Sequence, residues 1–164
     1  MPKIQAGDAA PVFALAGVDG QKHSLADALK KGPVLAAFFK VSCPVCQFTF
    51  PFLERIYENY GDSKVSFWGV SQNNAGDTKE FLDEYGVKFP TLIDADSYKV
   101  TKQYGLTNVP SIFLIQPDGN VHTSSVGFAK KDLETIAAEI AKASAKTPQA
   151  LFRPGEKVPE YKPG

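Results

Sequence analysis

The chain has two cysteines, and both fall in the stretch FKVSCPVCQFTFP, at positions 43 and 46. Two thiols at this spacing can do three things. They can exchange electrons as a dithiol/disulfide pair, supply half of a metal site, or fill space as two small apolar side chains. Exchange chemistry needs one accessible sulfur that ionises and a second within reach to resolve the mixed disulfide. A metal site of the zinc type needs about four ligands. His23 and His122 are the remaining nitrogen donors, far from the pair in sequence and at a spacing that matches no zinc pattern. We therefore expect no metal and no organic cofactor.

The elements around the pair decide which sulfur does what. VLAAFFKV, 34–41, is a nearly continuous apolar run of strand length, the pattern of a strand covered on both faces. The segment from about 44 to 60 carries Phe48, Phe52, Ile56 and Tyr60 at spacing four, an apolar helical stripe, with Gly61 as its stop. Cys43 then lies at the junction, and Pro44 takes the first helical position, where its fixed φ fits and its missing N–H is not needed. A helix N terminus carries about half a positive charge and unpaired N–H groups, which favours a thiolate at Cys43. Cys46 lies one turn along, within the ~4.4–6.8 Å between Cα atoms that a disulfide requires. Cys43 is thus the expected attacking sulfur and Cys46 the resolving one.

Further along, KVSFWGVSQ reads as a strand, NAGDTKEFLDEYG as a helix and FPTLIDAD as a short extended segment. SYKVTKQYG reads as a helix, and KKDLETIAAEIAKASAK as a strong final helix. PSIFLIQPDGNVHTSSVGF is a hairpin turning on Pro117-Asp118-Gly119-Asn120. An earlier short helix spans HSLADALKK, capped by Ser24 and stopped at Gly32-Pro33. The order is helix, β, α, β, α, β, α, β, β, α. It predicts an α/β fold with a mixed central sheet, helices on both faces and an antiparallel edge from the hairpin. Residues 1–146 form one domain, and 147–164, rich in proline, form an extended tail. Phe152 and Tyr161 are the apolar anchors of that tail, by which it can dock or capture a partner.

Lys+Arg and Asp+Glu are both 18, so the net charge is zero. This argues against nucleic acid or an anionic membrane as partner. No stretch approaches the ~18 apolar residues of a membrane span, and the opening MPKIQAGDAAPVFALAGVDG lacks a signal-peptide apolar region. The expectation is a cytoplasmic monomer, with a trimmed secreted form as the alternative.

FFKVSCPVCQFTFP, GVSQNNAGDTKEFLDEYGVKFPTLID and NVPSIFLIQPDGNVHTSSVGF together resemble the thioredoxin-fold redoxins, most nearly the TlpA-type thiol–disulfide oxidoreductases within the thioredoxin/peroxiredoxin superfamily. The resemblance spans about residues 5 to 145. It implies a thioredoxin-like fold and a redox-active Cys43/Cys46 pair. It also implies a cis proline at Pro110, with Val109 before it, framing a groove where a substrate segment pairs as a strand. Pro51 matches the proline inside the active-site helix, where a missing N–H predicts a kink. The implied partners are protein disulfide substrates and a dithiol electron donor, and the implied role includes antioxidant work.

The chain departs from the family pattern in ways that matter. The buried aspartate of thioredoxins falls on Ala37, the glutamate of TlpA-type reductases on Thr49, and the usual tryptophan before the first cysteine on Ser42. Lys40 is an unusual charge at the end of an apolar strand, a candidate for electrostatic tuning of the site. Two other functions stay open. A thiol peroxidase of the peroxiredoxin type needs a PxxxTxxC pattern, which neither cysteine fits: Ala36 and Lys40 precede Cys43, and Phe39 and Cys43 precede Cys46. A redox-inert binding module would use the groove or the tail alone.

Overall fold

A computed structural model describes residues 2–61 and 64–164. Met1, the first residue of the stretch read for a signal segment, lies outside the described residues, as do Asp62 and Ser63. The core is a five-stranded sheet. Strand β3 (Val34–Phe39) lies at its centre, parallel to β4 (Ser66–Ser71), which is in turn parallel to β5 (Thr91–Ile93). On the other side β6 (Ser111–Ile115) runs antiparallel to β3 and forms a hairpin with β7 (Val121–Val126). All six residues of β3 are buried, which is why this strand reads as a continuous apolar run and not as an alternation.

Helix α2 (Pro44–Tyr60) follows β3 and lies on one face of the sheet, packed near α3 (Ala75–Tyr85) and α5 (Lys130–Ala143). The opposite face holds α1 (Leu25–Leu29) and α4 (Lys99–Gln103), with Trp68, Tyr104 and Phe113 in its core. Each face therefore has its own apolar cluster. Ser24 caps α1 by accepting a hydrogen bond from Asp27 N–H, and α3 ends at Gly86 in the left-handed conformation, φ 65°. The fold is thioredoxin-like, with helices on both faces of a mixed sheet and the hairpin at its antiparallel edge.

Two small pairings were not foreseen. β1 (Ala14–Ala16) and β2 (Lys22–Ser24) make a separate antiparallel ribbon ahead of α1, so His23 sits in a strand. β8 (Phe128–Ala129) pairs with β9 (Tyr161–Lys162), which comes from the far end of the tail. Strands of two or three residues are too short to impose a period on the sequence.

The tail returns along the α2 and α5 side of the domain. Leu151 is buried and the Phe152 ring lies 5.2 Å from that of Phe52. Arg55 of α2 grips Glu156 through two hydrogen bonds, 2.8 Å from Nη1 and 2.7 Å from Nη2, and its Nη1 also donates to the Leu151 carbonyl. A planar guanidinium matched to a carboxylate in this way fixes orientation as well as charge. Arg55, joined by the Arg153 N–H, holds the Glu156 carboxyl down to about 2 from its ordinary 4.5. A carboxyl depressed in the folded state contributes its stability above the ordinary value and loses it as pH falls through the folded one. The Arg153 amide, which donates to Glu156 Oε1 at 3.1 Å, should therefore lose hydrogen-exchange protection between pH 4.5 and about 2. At neutral pH, Glu156→Gln should speed trypsin cleavage after Lys157 several-fold, measured by mass spectrometry. An unchanged rate would mean that the tail is held by its other contacts and not by the Arg55–Glu156 pair.

Candidate active site

The reactive end lies where β3 gives way to α2. Phe39 closes the strand, and its carbonyl accepts from Gln72 N–H across the sheet at 3.0 Å. The loop Lys40–Ser42 is then held from two directions. Asn73 Oδ1 accepts from Val41 N–H at 3.0 Å, and Gln47 Nε2 donates to the Val41 carbonyl at 2.9 Å. A loop with both of its central backbone groups paired fixes the entry into α2. Cys43 follows as the N-cap residue, in extended conformation, with Pro44 in the first helical position and exposed.

Cys43 is half-buried and Cys46 fully buried; both are free thiols. The Sγ of Cys43 accepts a hydrogen bond from Cys46 N–H at 3.1 Å, so the sulfur does the work of an N-cap oxygen. The same sulfur donates to the Val109 carbonyl at 3.5 Å. Val109 precedes Pro110, and the bond between them is cis. Pro110 is buried at the entry to β6 and Val109 is half-buried. Cys43, Cys46, Val109 and Pro110 are thus gathered at one place, although 66 residues separate Cys43 from Val109.

Burial pushes the Cys46 thiol well above the ordinary thiol range, and its neighbour Cys43 adds to the effect. The Lys40 charge acts in the opposite, lowering direction and is outweighed. Lys40 itself is exposed and its carbonyl accepts from Cys43 N–H. Thr49, where a glutamate stands in TlpA-type reductases, is buried and spends its hydroxyl on the Val45 carbonyl at 2.7 Å. Ala37 is buried in β3, paired with Gly69 and Ile112. Pro51 lies inside α2, which runs unbroken from Pro44 to Tyr60.

The imidazoles are occupied elsewhere. His23 pairs with Asp19 and packs edge-on against Trp68, on the opposite face of the sheet. His122 of β7 pairs with Glu139 of α5 at 3.6 Å. Sequence reasoning missed Asn73 and Gln47, the two residues that hold the loop. The one available signal was their place, directly after a strand and directly after the second cysteine.

The geometry has counterparts among known proteins. The model of the AhpC/TSA family matches residues 6–124. The thiol–disulfide oxidoreductase ResA of Bacillus thuringiensis is 31% identical over 131 residues, 79% of this chain and 75% of that one. A solved structure described as a thiol:disulfide interchange protein DsbE from Chlorobium tepidum superimposes with a TM-score of 0.75 at 28% identity, covering 86% of this chain and 99% of the other. The peroxidoxin BcpB of Mycobacterium tuberculosis shares the fold, with a TM-score of 0.70 at 20% identity over 85% and 97% of the two chains.

The raised Cys46 has a measurable consequence. A thiol lifted in the folded state contributes stability that is complete below its ordinary value and is lost as pH rises above it. Tyr104 is also pushed up by burial, but its loss begins only above its ordinary value of 10.0. The window for Cys46 is therefore pH 9 to 10. Urea unfolding of the reduced protein and of Cys46→Ala should show their stability difference shrinking by about 1 kcal/mol across that window. A constant difference would mean that Cys46 ionises as freely in the folded protein as in the unfolded chain.

Proposed function

The chain belongs to the AhpC/TSA family and is a thiol–disulfide oxidoreductase working through its CPVC pair; within that activity we propose that Cys43 is the attacking sulfur, Cys46 the resolving one, and Val109–Pro110 the frame for a protein disulfide. The observation that carries this division of labour is the asymmetry of the two thiols. One sulfur is half-exposed at a helix N terminus and accepts a backbone N–H; the other is sealed in the core.

The reaction follows from that asymmetry. The Cys43 thiolate attacks one sulfur of a substrate disulfide, a mixed disulfide forms, and the other substrate sulfur departs as a thiolate that takes up a proton. The Cys46 thiol then gives up its proton and attacks Cys43 Sγ. The internal disulfide closes and the second substrate thiol leaves. Two electrons have passed from the pair to the substrate, and a dithiol donor must restore them. Pro44, exposed between the sulfurs, and Val109 border the approach to Cys43. Lys40 tunes the resolving thiol downward. The enzyme acts as a monomer and needs no metal or organic cofactor.

For direction we take the reducing one. CxxC proteins become oxidants when the reduced form is stabilised by an ionised thiolate. Here the Cys46 N–H donates the hydrogen bond that Cys43 Sγ accepts, and the buried Cys46 adds no second thiolate, so the protein is taken as a reductant suited to a reducing compartment. Equilibration against a dithiol buffer series should give a potential at or below about −250 mV, near the thioredoxin end of the scale. A value near about −150 mV would reverse both direction and compartment. For the residue roles, insulin reduction is the direct assay. Cys43→Ser should abolish turnover, whereas Cys46→Ser should accumulate a mixed disulfide through Cys43, visible by mass spectrometry. Turnover in Cys43→Ser at the parent rate would refute the assignment.

A further inference from the structure

The far end of the tail pairs with Phe128–Ala129 and reaches the Val109–Pro110 segment proposed as the substrate frame. Tyr161 and Lys162 pair antiparallel with Phe128 and Ala129. Asn108 Nδ2 donates to the Gly164 carbonyl at 3.2 Å. Gly164 sits so close to the Val109 carbonyl that a Cβ added to it would fall 2.6 Å from that oxygen. The Val109 carbonyl is the acceptor for Cys43 Sγ, so one carbonyl group separates the tail from the reactive sulfur. Gly127, at φ 73°, has no side chain to obstruct the Lys162 carbonyl, which a Cβ there would strike. The Lys162 ammonium lies 4.9 Å above the Phe48 ring of the active-site helix.

We propose that residues 161–164 are a displaceable occupant of the substrate groove, lying as an extended segment where a protein disulfide must lie, so that their release governs access of protein substrates to Cys43. The inference rests on the proposed function, because it takes Val109–Pro110 as the substrate frame.

The holding forces divide at Glu160. Upstream, Leu151 is buried, Phe152 packs on Phe52, and Arg55 grips Glu156. The Glu160 carbonyl accepts from Lys130 N–H at 3.0 Å, satisfying an amide at the start of α5, where Ala129 offers no side-chain cap. Downstream, a two-residue ladder, one side-chain hydrogen bond and one cation over a ring hold a segment in which Tyr161 is 56% exposed. Residues 161–164 can therefore lift while residues 151–160 stay docked. An incoming extended peptide that pairs beside Val109 occupies the space that Gly164 fills, so the two cannot lie there together.

The test separates the groove from the sulfur. In the full chain, Lys162→Asp with Gly164→Ile removes the cation over Phe48 and forces a side chain against Val109. A groove closed about nine-tenths of the time would then give a roughly tenfold rise in kcat/KM for insulin. The rate with the small disulfide 5,5′-dithiobis(2-nitrobenzoate), which needs no strand pairing, should stay unchanged. An unchanged or slower insulin rate overturns the proposal. So does an equal rise with both substrates, because the tail would then act on sulfur reactivity. A second measurement does not need turnover. In Cys46→Ser, Cys43 is joined by a mixed disulfide either to a six-residue cysteine peptide or to 2-mercaptoethanol. The amides of 161 and 162 should lose hydrogen-exchange protection with the peptide only; protection kept under the peptide overturns the proposal. A parent chain that reduces neither disulfide refutes the proposed function instead, and the exchange result still decides where the tail lies.

Discussion

The Phe50 ring, fully buried on the underside of α2, lies 4.4 Å from Phe39 at the end of β3 and 5.6 Å from Phe81 of α3, and Phe39 and Phe81 lie 4.8 Å apart. This three-ring contact sets where the active-site helix meets the sheet. Burying such a ring contributes roughly 1.5–3 kcal/mol, and aromatic pairs add about 0.5–1.5 kcal/mol each. Phe39 is the last residue of its strand and Phe50 lies about two turns into its helix, so the link between them has little freedom. The chain must turn within Lys40–Ser42 and begin the helix at Cys43. The exposure of one sulfur and the burial of the other follow from that turn, because Cys46 faces the same interior as Phe50.

Much of this was legible in the residues. A continuous apolar run before a CPVC pair, followed by aromatic residues at spacing four, specifies a buried strand, a junction and an amphipathic helix, and β3 and α2 form with nearly those bounds. The hairpin of β6 and β7 announced itself through Pro117-Asp118-Gly119-Asn120, because turn chemistry is local. What could not be read was tertiary. Arg55 meets Glu156 across 101 positions, and nothing periodic links them. Asn73 and Gln47 converge on Val41 only once β4 lies beside β3. The tail's prolines indicated an extended segment but carried no information about what it lies against.

The two thiols also show how one helix terminus separates neighbouring groups of the same chemistry. The dipole and the unpaired amides of the first turn serve Cys43, while Cys46, one turn deeper, is enclosed by the apolar cluster with Cys43 and Lys40 as its polar neighbours. Family carboxylates are replaced here by Ala37 and Thr49, neither of which can accept a proton from Cys46.

The attachment of the tail to the domain it lies on has a quantitative meaning for any competitor. A tethered segment meets its site at an effective concentration of order millimolar for a short flexible linker, and its anchoring at Arg55 and Lys130 shortens the free part to a few residues. An untethered peptide of equal intrinsic affinity must approach that concentration to take its place. A protein disulfide meets the same requirement at first encounter, since it must pair in the groove before its sulfur reaches Cys43. Once the mixed disulfide has formed, the covalent bond makes that pairing intramolecular, so a substrate that has reacted holds the tail out until Cys46 releases it.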